Sequence, residues 1–194
     1  MKPQASAMSP ILSGRIDATR SVAFPGFADR LTSAYDAGTF QAFGDLGYRI
    51  DVAPKASIEP FAGIAYVGLH SNAFTESGGA AALIGQGATT NVTFSTLGLR
   101  SAVGFDLGGM AATWKGSLGW RHAFGDVTPL ATFAFAGGSP FTVAGVPIAR
   151  DAAAIDAGFN VAIARGVTFG IAYTGQLAQG FQDNGIKADL DWKF

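Results

Sequence analysis

Apolar and polar residues alternate with period two along most of this chain, the pattern of a strand whose successive side chains point to opposite faces. Over 39–52, Phe40, Ala42, Gly44, Leu46, Tyr48, Ile50 and Val52 interleave with Gln41, Phe43, Asp45, Gly47, Arg49 and Asp51. Leu97, Leu99, Val103, Phe105 and Leu107 alternate with Thr96, Gly98, Arg100, Gly104 and Asp106, and Ser101 is the one polar intrusion. Over 114–124, Trp114, Leu118, Trp120 and Phe124 oppose Lys115, Ser117, Gly119, Arg121 and Ala123. Ile155, Ala157, Phe159, Val161 and Ile163 then alternate with Asp156, Gly158, Asn160 and Ala162, and Val167, Phe169, Ile171 and Tyr173 with Thr168, Gly170, Ala172 and Thr174. The last strand divides most cleanly, with Ile186, Ala188, Leu190, Trp192 and Phe194 on one side and Lys187, Asp189, Asp191 and Lys193 on the other. Residues 56–69 also read as a strand, although their second face, Glu59, Phe61, Gly63, Ala65 and Val67, is barely polar.

Composition decides what solvent those faces meet. Only 14% of the 194 residues are charged and 12% are aromatic, with 27 glycines, whereas about 25% charge is usual for a soluble domain. No window approaches the roughly 18 consecutive apolar residues of a membrane helix. Backbone groups in lipid must be bonded internally, so the remaining spanning solution is a closed β-barrel, which spreads its apolar residues to every second position. The reading is therefore all-β: a transmembrane antiparallel up-and-down β-barrel. A soluble sandwich would carry a Lys- and Glu-rich wet face and uniformly short turns, whereas here the second face mixes Gly, Ala, Thr and sparse charges. Trp114, Trp120, Tyr173 and Trp192 fit the aromatic girdles of a barrel.

The connections agree, because such barrels have short periplasmic turns and longer outer loops. Short turns are expected at 53–55, 108–110 and 164–166, and long Gly-, Ser- and Thr-rich loops at 71–91, 125–150 and 176–185. With the C-terminus in the periplasm, the short turns fall on one side and the long loops on the other. A charge facing lipid at mid-depth costs about 2–4 kcal/mol, so Asp45, Arg49, Asp51, Arg100, Asp106, Lys115, Arg121, Asp156, Lys187, Asp189 and Asp191 are expected to face a lumen. They would either make a hydrated channel or pair with one another and fill the interior.

Other chemistry is sparse. A net charge of -1 carries no basic footprint for nucleic acid. With no cysteine and two histidines, His70 and His122, no zinc site is expected, and no cofactor. His122 lies on the apolar face between Trp120 and Phe124 and reads as an interfacial residue. Ser71, His70 and Asp106 form a catalytic triad only on paper. Gly78, Gly79, Gly85 and Gly87 lack the Lys-Ser/Thr of a phosphate loop. Residues 1–14, broken by Pro3 and Pro10, are expected to be irregular or atypical and show no secretory signal, which suggests a fragment or truncated product.

Six segments in order, SVAFPGFADRL, EPFAGIAYV, FSTLGLR, LGWRHAFGD, FTVAGVPIARDAA and YTGQLAQGFQDNGIKADLDWKF, resemble the β-domain of autotransporters, over 15–194. That resemblance implies the C-terminal part of a twelve-strand barrel whose family members carry a pore helix and move an N-terminal passenger to the cell surface. About seven complete strands match the sixth to twelfth of the family, with Ile16 to Phe24 as the end of the fifth. The first four strands, the helix and the passenger domain are expected to lie outside this chain. Outer-membrane barrels commonly end in an aromatic residue read by the barrel assembly machinery, and Ile186, Ala188, Leu190, Trp192 and Phe194 match that signal. The implied partners are outer-membrane lipid, the assembly machinery and a passenger, and no enzymatic activity is expected. Eight strands enclose an interior just wide enough for side chains, so a small structural or adhesive barrel, or a remnant without transport activity, stays open beside the translocator.

Overall fold

The computed structural model describes residues 2–8 and 11–193. These form thirteen strands and no helix: β1 (Lys2–Met8), β2 (Ile11–Phe24), β3 (Phe27–Ala53), β4 (Ala56–Ser71), β5 (Phe74–Thr75), β6 (Leu83–Gly85), β7 (Ala88–Leu107), β8 (Met110–Gly125), β9 (Leu130–Phe135), β10 (Phe141–Ala144), β11 (Asp151–Ala164), β12 (Val167–Ala178) and β13 (Phe181–Trp192). The main sheet runs β3-β4-β7-β8-β11-β12-β13, every pair antiparallel. β2 pairs with the first half of β3, from Phe24↔Phe27 to Ile11↔Phe40, and β1 with the second half, from Met8↔Phe43 to Lys2↔Arg49. The two thus share one edge position. Eight strand positions make an up-and-down meander, with β13 at the other edge.

Consecutive strands become neighbours because their turns at one end are too tight for any other partner. At Gly108 and Gly109 φ is 63° and 88°, the left-handed pair that a two-residue hairpin turn of type I′ requires. The register of the main sheet shifts at two places, between Asp51 and Ala53 and between Ala162 and Ala164. Both lie beside a short turn, so the facing of side chains is preserved through the body of the sheet.

Several expectations are corrected. The stretch expected to be irregular, 1–14, contributes β1 and the start of β2 to the sheet edge. The strand expected at 39–52 runs from Phe27 to Ala53 and outreaches β4, whose outermost pair is Ala37↔Ser71. The loop expected at 176–185 is a hairpin instead: β12 continues to Ala178, β13 starts at Phe181, and only Gln179 and Gly180 turn. The opposite end is therefore not uniformly long-looped, since Pro25 and Gly26 also make a tight turn there. The long connections 71–91 and 125–150 are themselves structured, forming a second sheet in the order β10-β9-β6-β5.

Candidate functional site

Residues directly opposite in an antiparallel pair share a face, so the register assigns every side chain. One row aligns Glu59, Arg100, Ser117, Asp156 and Thr174 across five strands. The next aligns Asp51, Ser57, Ala102, Lys115, Gly158, Ala172 and Lys187. Asp45 aligns with Gly63, Thr96 and Arg121, and Asp189 with Gly170 and Asn160. Arg49, Asp106 and Asp191 follow by alternation within their strands. All eleven charged residues singled out in the sequence thus lie on one face of the sheet.

The other face is apolar and uncovered. Leu46, Leu97, Leu118 and Trp120 are 68%, 54%, 60% and 51% exposed, and Leu190 and Trp192 are 65% and 72% exposed. Isolated exposed apolar residues are ordinary, but a continuous sheet of them exceeds the few hundred Å² that soluble monomers tolerate. A sandwich would have buried this face in a dry core.

Cavities open on the charged face. One, of about 420 Å³, is lined by Arg49, Glu59, Arg100, Lys115, Ser117 and Asp156 among others, and a neighbour of about 440 Å³ by Asp45, Phe61, Phe94 and Arg121. Arg100 organises the centre. Its Nη1 donates to Asp45 Oδ2 at 2.9 Å and to Glu59 Oε1 at 2.8 Å, and its guanidinium lies 3.9 Å from the Phe61 ring centroid. Arg49 Nε donates to Asp51 Oδ1 at 3.1 Å, and Ser117 Oγ to Asp156 Oδ2 at 2.6 Å. Arg121 lies 5.6 Å over Phe94. Asp106 accepts the Gly109 N–H at 2.8 Å, closing its turn. Lys115, Lys187, Asp189 and Asp191 form no ion pair among the described residues.

Glu59 and Phe61, which made their strand look barely amphipathic, are central here. Phe61 lies over a row of glycines, since a Cβ at Gly98 would come within 2.7 Å of its ring and one at Gly119 within 3.6 Å. The ring covers backbone that would otherwise be bare, as aromatic side chains do for strand glycines. Glycines at 98 and 119, directly opposite each other on the charged face, were the available signal.

On the apolar face, polar groups are satisfied locally. Ser101 Oγ donates to the Gly116 carbonyl at 3.3 Å. Tyr66, Trp114 and Tyr173 each lie along their own strand over a glycine two residues on, Gly68, Gly116 and Gly175. His122 Nδ1 is 2.7 Å from Asp151 Oδ1, which also accepts from Trp120 Nε1 at 3.0 Å. The His122 ring sits 5.6 Å from that of Trp120 and 4.5 Å from that of Phe124. His70 is bonded to Thr89 and Asn72 at the end of β4, whereas Asp106 is at the opposite end of β7, so the paper triad is not assembled. Ile186, Ala188, Leu190 and Trp192 share the apolar face of β13; Phe194 lies outside the described residues.

A sheet with one lipid-ready face, one charged face and strands of 12 residues or more, where about 9–11 suffice to span, defines a membrane β-barrel protein. The family model described as "Autotransporter beta-domain" matches residues 12–174, and the chain belongs to that family. Two proteins of Serratia marcescens, each named "Extracellular serine protease", are similar to it, at 38% identity over 183 residues and 36% over 181. Each alignment covers 93% of this chain but 17% of the relative's length. The chain is thus the outer-membrane β-barrel part of an autotransporter, placing it in type V secretion in a Gram-negative bacterium. The protease activity in the relatives' names is a property of those proteins.

Proposed function

We propose that the charged face lines a hydrated lumen through which an N-terminal passenger is moved to the cell surface, with the strands from β1 and β2 to β13 of the main sheet as the barrel-forming part. The observation that carries this reading is that the eleven charged positions share the face opposite the bare apolar one, and that the cavities on that face are lined by Asp45, Arg49, Asp51, Arg100, Lys115, Arg121 and Asp156 among them. A translocating chain meets exchangeable hydrogen bonds along Arg49, Lys115, Ser117 and Asp156 and finds little apolar wall to stick to. This chain carries no catalytic role itself. Its apolar β13 residues Ile186, Ala188, Leu190 and Trp192, together with Phe194, serve as the signal that the barrel assembly machinery reads.

The test is export of an epitope-tagged passenger joined ahead of the chain, followed by surface labelling of intact cells. Charge reversal at Lys115 and Lys187 slows export while heat-modifiable migration of the barrel is unchanged. If such variants export normally and the reconstituted protein passes no current, the lumen reading fails, leaving a structural or adhesive barrel.

A further inference from the structure

The two long connections fold together at the end of the sheet where β3 outreaches β4. β6 pairs with β9 through Leu83↔Phe135, Ile84↔Ala134 and Gly85↔Phe133, so residues from 72–87 and from 126–150 become one sheet. That sheet has one apolar side, since Phe74, Gly85, Phe133 and Phe141 align in a single row. The aromatic chain continues into the main sheet. Tyr35 stacks on Phe74 at 4.8 Å, Phe74 meets Phe133 at 6.4 Å, and Phe133 meets Phe141 at 6.0 Å.

The docking is specific. Thr32 and Ser77 exchange both backbone hydrogen bonds at 2.9 Å. Arg20 Nε donates to Glu76 Oε1 at 3.0 Å, its Nη2 donates to the Ala81 carbonyl at 2.8 Å, and Glu76 Oε2 accepts the Leu83 N–H at 2.9 Å. Asp29 Oδ2 accepts the Ala81 N–H at 2.9 Å. Leu31 is completely buried although β4 does not reach it, and the connection lies against it, since a Cβ at Gly78 would come within 3.4 Å of Leu31 Cα. The side of docking follows from parity. Asp29, Leu31 and Tyr35 are odd positions of β3, like Asp45, Arg49 and Asp51, and the register from 27 to 47 contains no shift. Arg20, opposite Leu31, shares that face.

We propose that β5, β6, β9 and β10 form a lid folded over the outer end of the charged face, latched to the β2–β3 hairpin by Glu76 and Arg20. The proposal rests on the reading of the charged face as a lumen. The closed lid stops solutes at the outer mouth, and release of the latch swings the sheet away from Leu31 and Tyr35.

The chain has no cysteine, so Thr32→Cys with Ser77→Cys gives one defined cross-link. Their hydroxyl oxygens are 3.4 Å apart, and paired residues of this kind sit about 5.5 Å apart at Cα, within disulfide range. The protein is reconstituted in planar bilayers with this pair, with Arg20→Gln, and with 72–87 and 126–150 replaced by short Gly-Ser turns. Channel openings are lost on oxidation, return on reduction, and lengthen with Arg20→Gln. Oxidation that forms the disulfide on a gel but leaves the current unchanged overturns the lid and leaves the lumen standing. Failure of the disulfide to form overturns the docking. No current from any variant, the loop replacement included, overturns the lumen reading and the lid with it.

Discussion

Leu118 and Ser117 are neighbours in the middle of β8 and point to opposite faces, which makes them a matched pair for measuring what each face meets. Leu118→Arg places a guanidinium where the side chain is 60% exposed on the bare apolar face. An arginine near the bilayer midplane costs about 2–4 kcal/mol, which at 1.4 kcal/mol per tenfold lowers the folded-to-unfolded ratio by roughly 30- to 1,000-fold. Ser117→Arg puts the same group in the cavity of about 420 Å³, opposite Asp156. It loses one hydrogen bond, Ser117 to Asp156, gains Asp156 as a charge partner and meets Arg100, itself paired with Asp45 and Glu59, across on β7, so its cost is about 1 kcal/mol, below that of Leu118→Arg. Urea unfolding from lipid vesicles, followed by tryptophan fluorescence and heat-modifiable migration, reads both variants on one scale. Equal costs at the two positions, or a larger cost at Ser117, would refute the assignment of the faces.

Gly98→Ala drives a Cβ to 2.5 Å from the Leu118 carbonyl oxygen, which is backbone and cannot turn aside; a loss of about 1–3 kcal/mol is expected in urea unfolding, while Gly158→Ala, whose nearest contact is 3.8 Å, is near neutral. Arg100→Met leaves Asp45 and Glu59 together without their shared cation; because Arg100 is 39% exposed, the cost is about 1–2 kcal/mol, below that of a fully buried pair, and adding Glu59→Gln recovers part of it. The Arg20 hydrogen bond, ahead of the Leu83 N–H, holds the Glu76 carboxyl below its ordinary value of 4.5. A folded-state value that is depressed gives stabilisation that is complete above 4.5 and lost as pH falls through the lowered value. Protease cutting within 72–87 therefore rises only in acid below that range, and Arg20→Gln moves the rise to higher pH.

The spanning strands were legible because each solvent imposes its own residue type at every second position, and that code is local. Outside the lipid the code lapses. Residues 27–38 mix Phe27, Asp29, Leu31 and Tyr35 on one parity with Ala28, Arg30 and Ala34 on the other, so no alternation announced the extension of β3. Gln176, Gln182, Asp183 and Asn184 made a hairpin look like a loop for the same reason. The second sheet was invisible because its strands, of two to six residues, gain their partners from a connection about 50 residues away. At the charged face, Asp45 and Arg100 were readable as charges in an alternating strand. Their partner Glu59 was hidden among Phe61, Gly63 and Ala65, a set that makes sense only once glycines 98 and 119 are seen beneath the Phe61 ring.

The central claim is that alternate side chains meet hydrocarbon and water. It is tested most directly by single cysteines at each position from 114 to 122 in the cysteine-free protein in liposomes, each carrying a fluorophore exposed in turn to a lipid-soluble and a water-soluble quencher. Quenching by the lipid-soluble reagent is predicted at 114, 116, 118, 120 and 122 and by the aqueous one at 115, 117, 119 and 121. Quenching that lacks the period of two, or has its phases exchanged, would contradict the account.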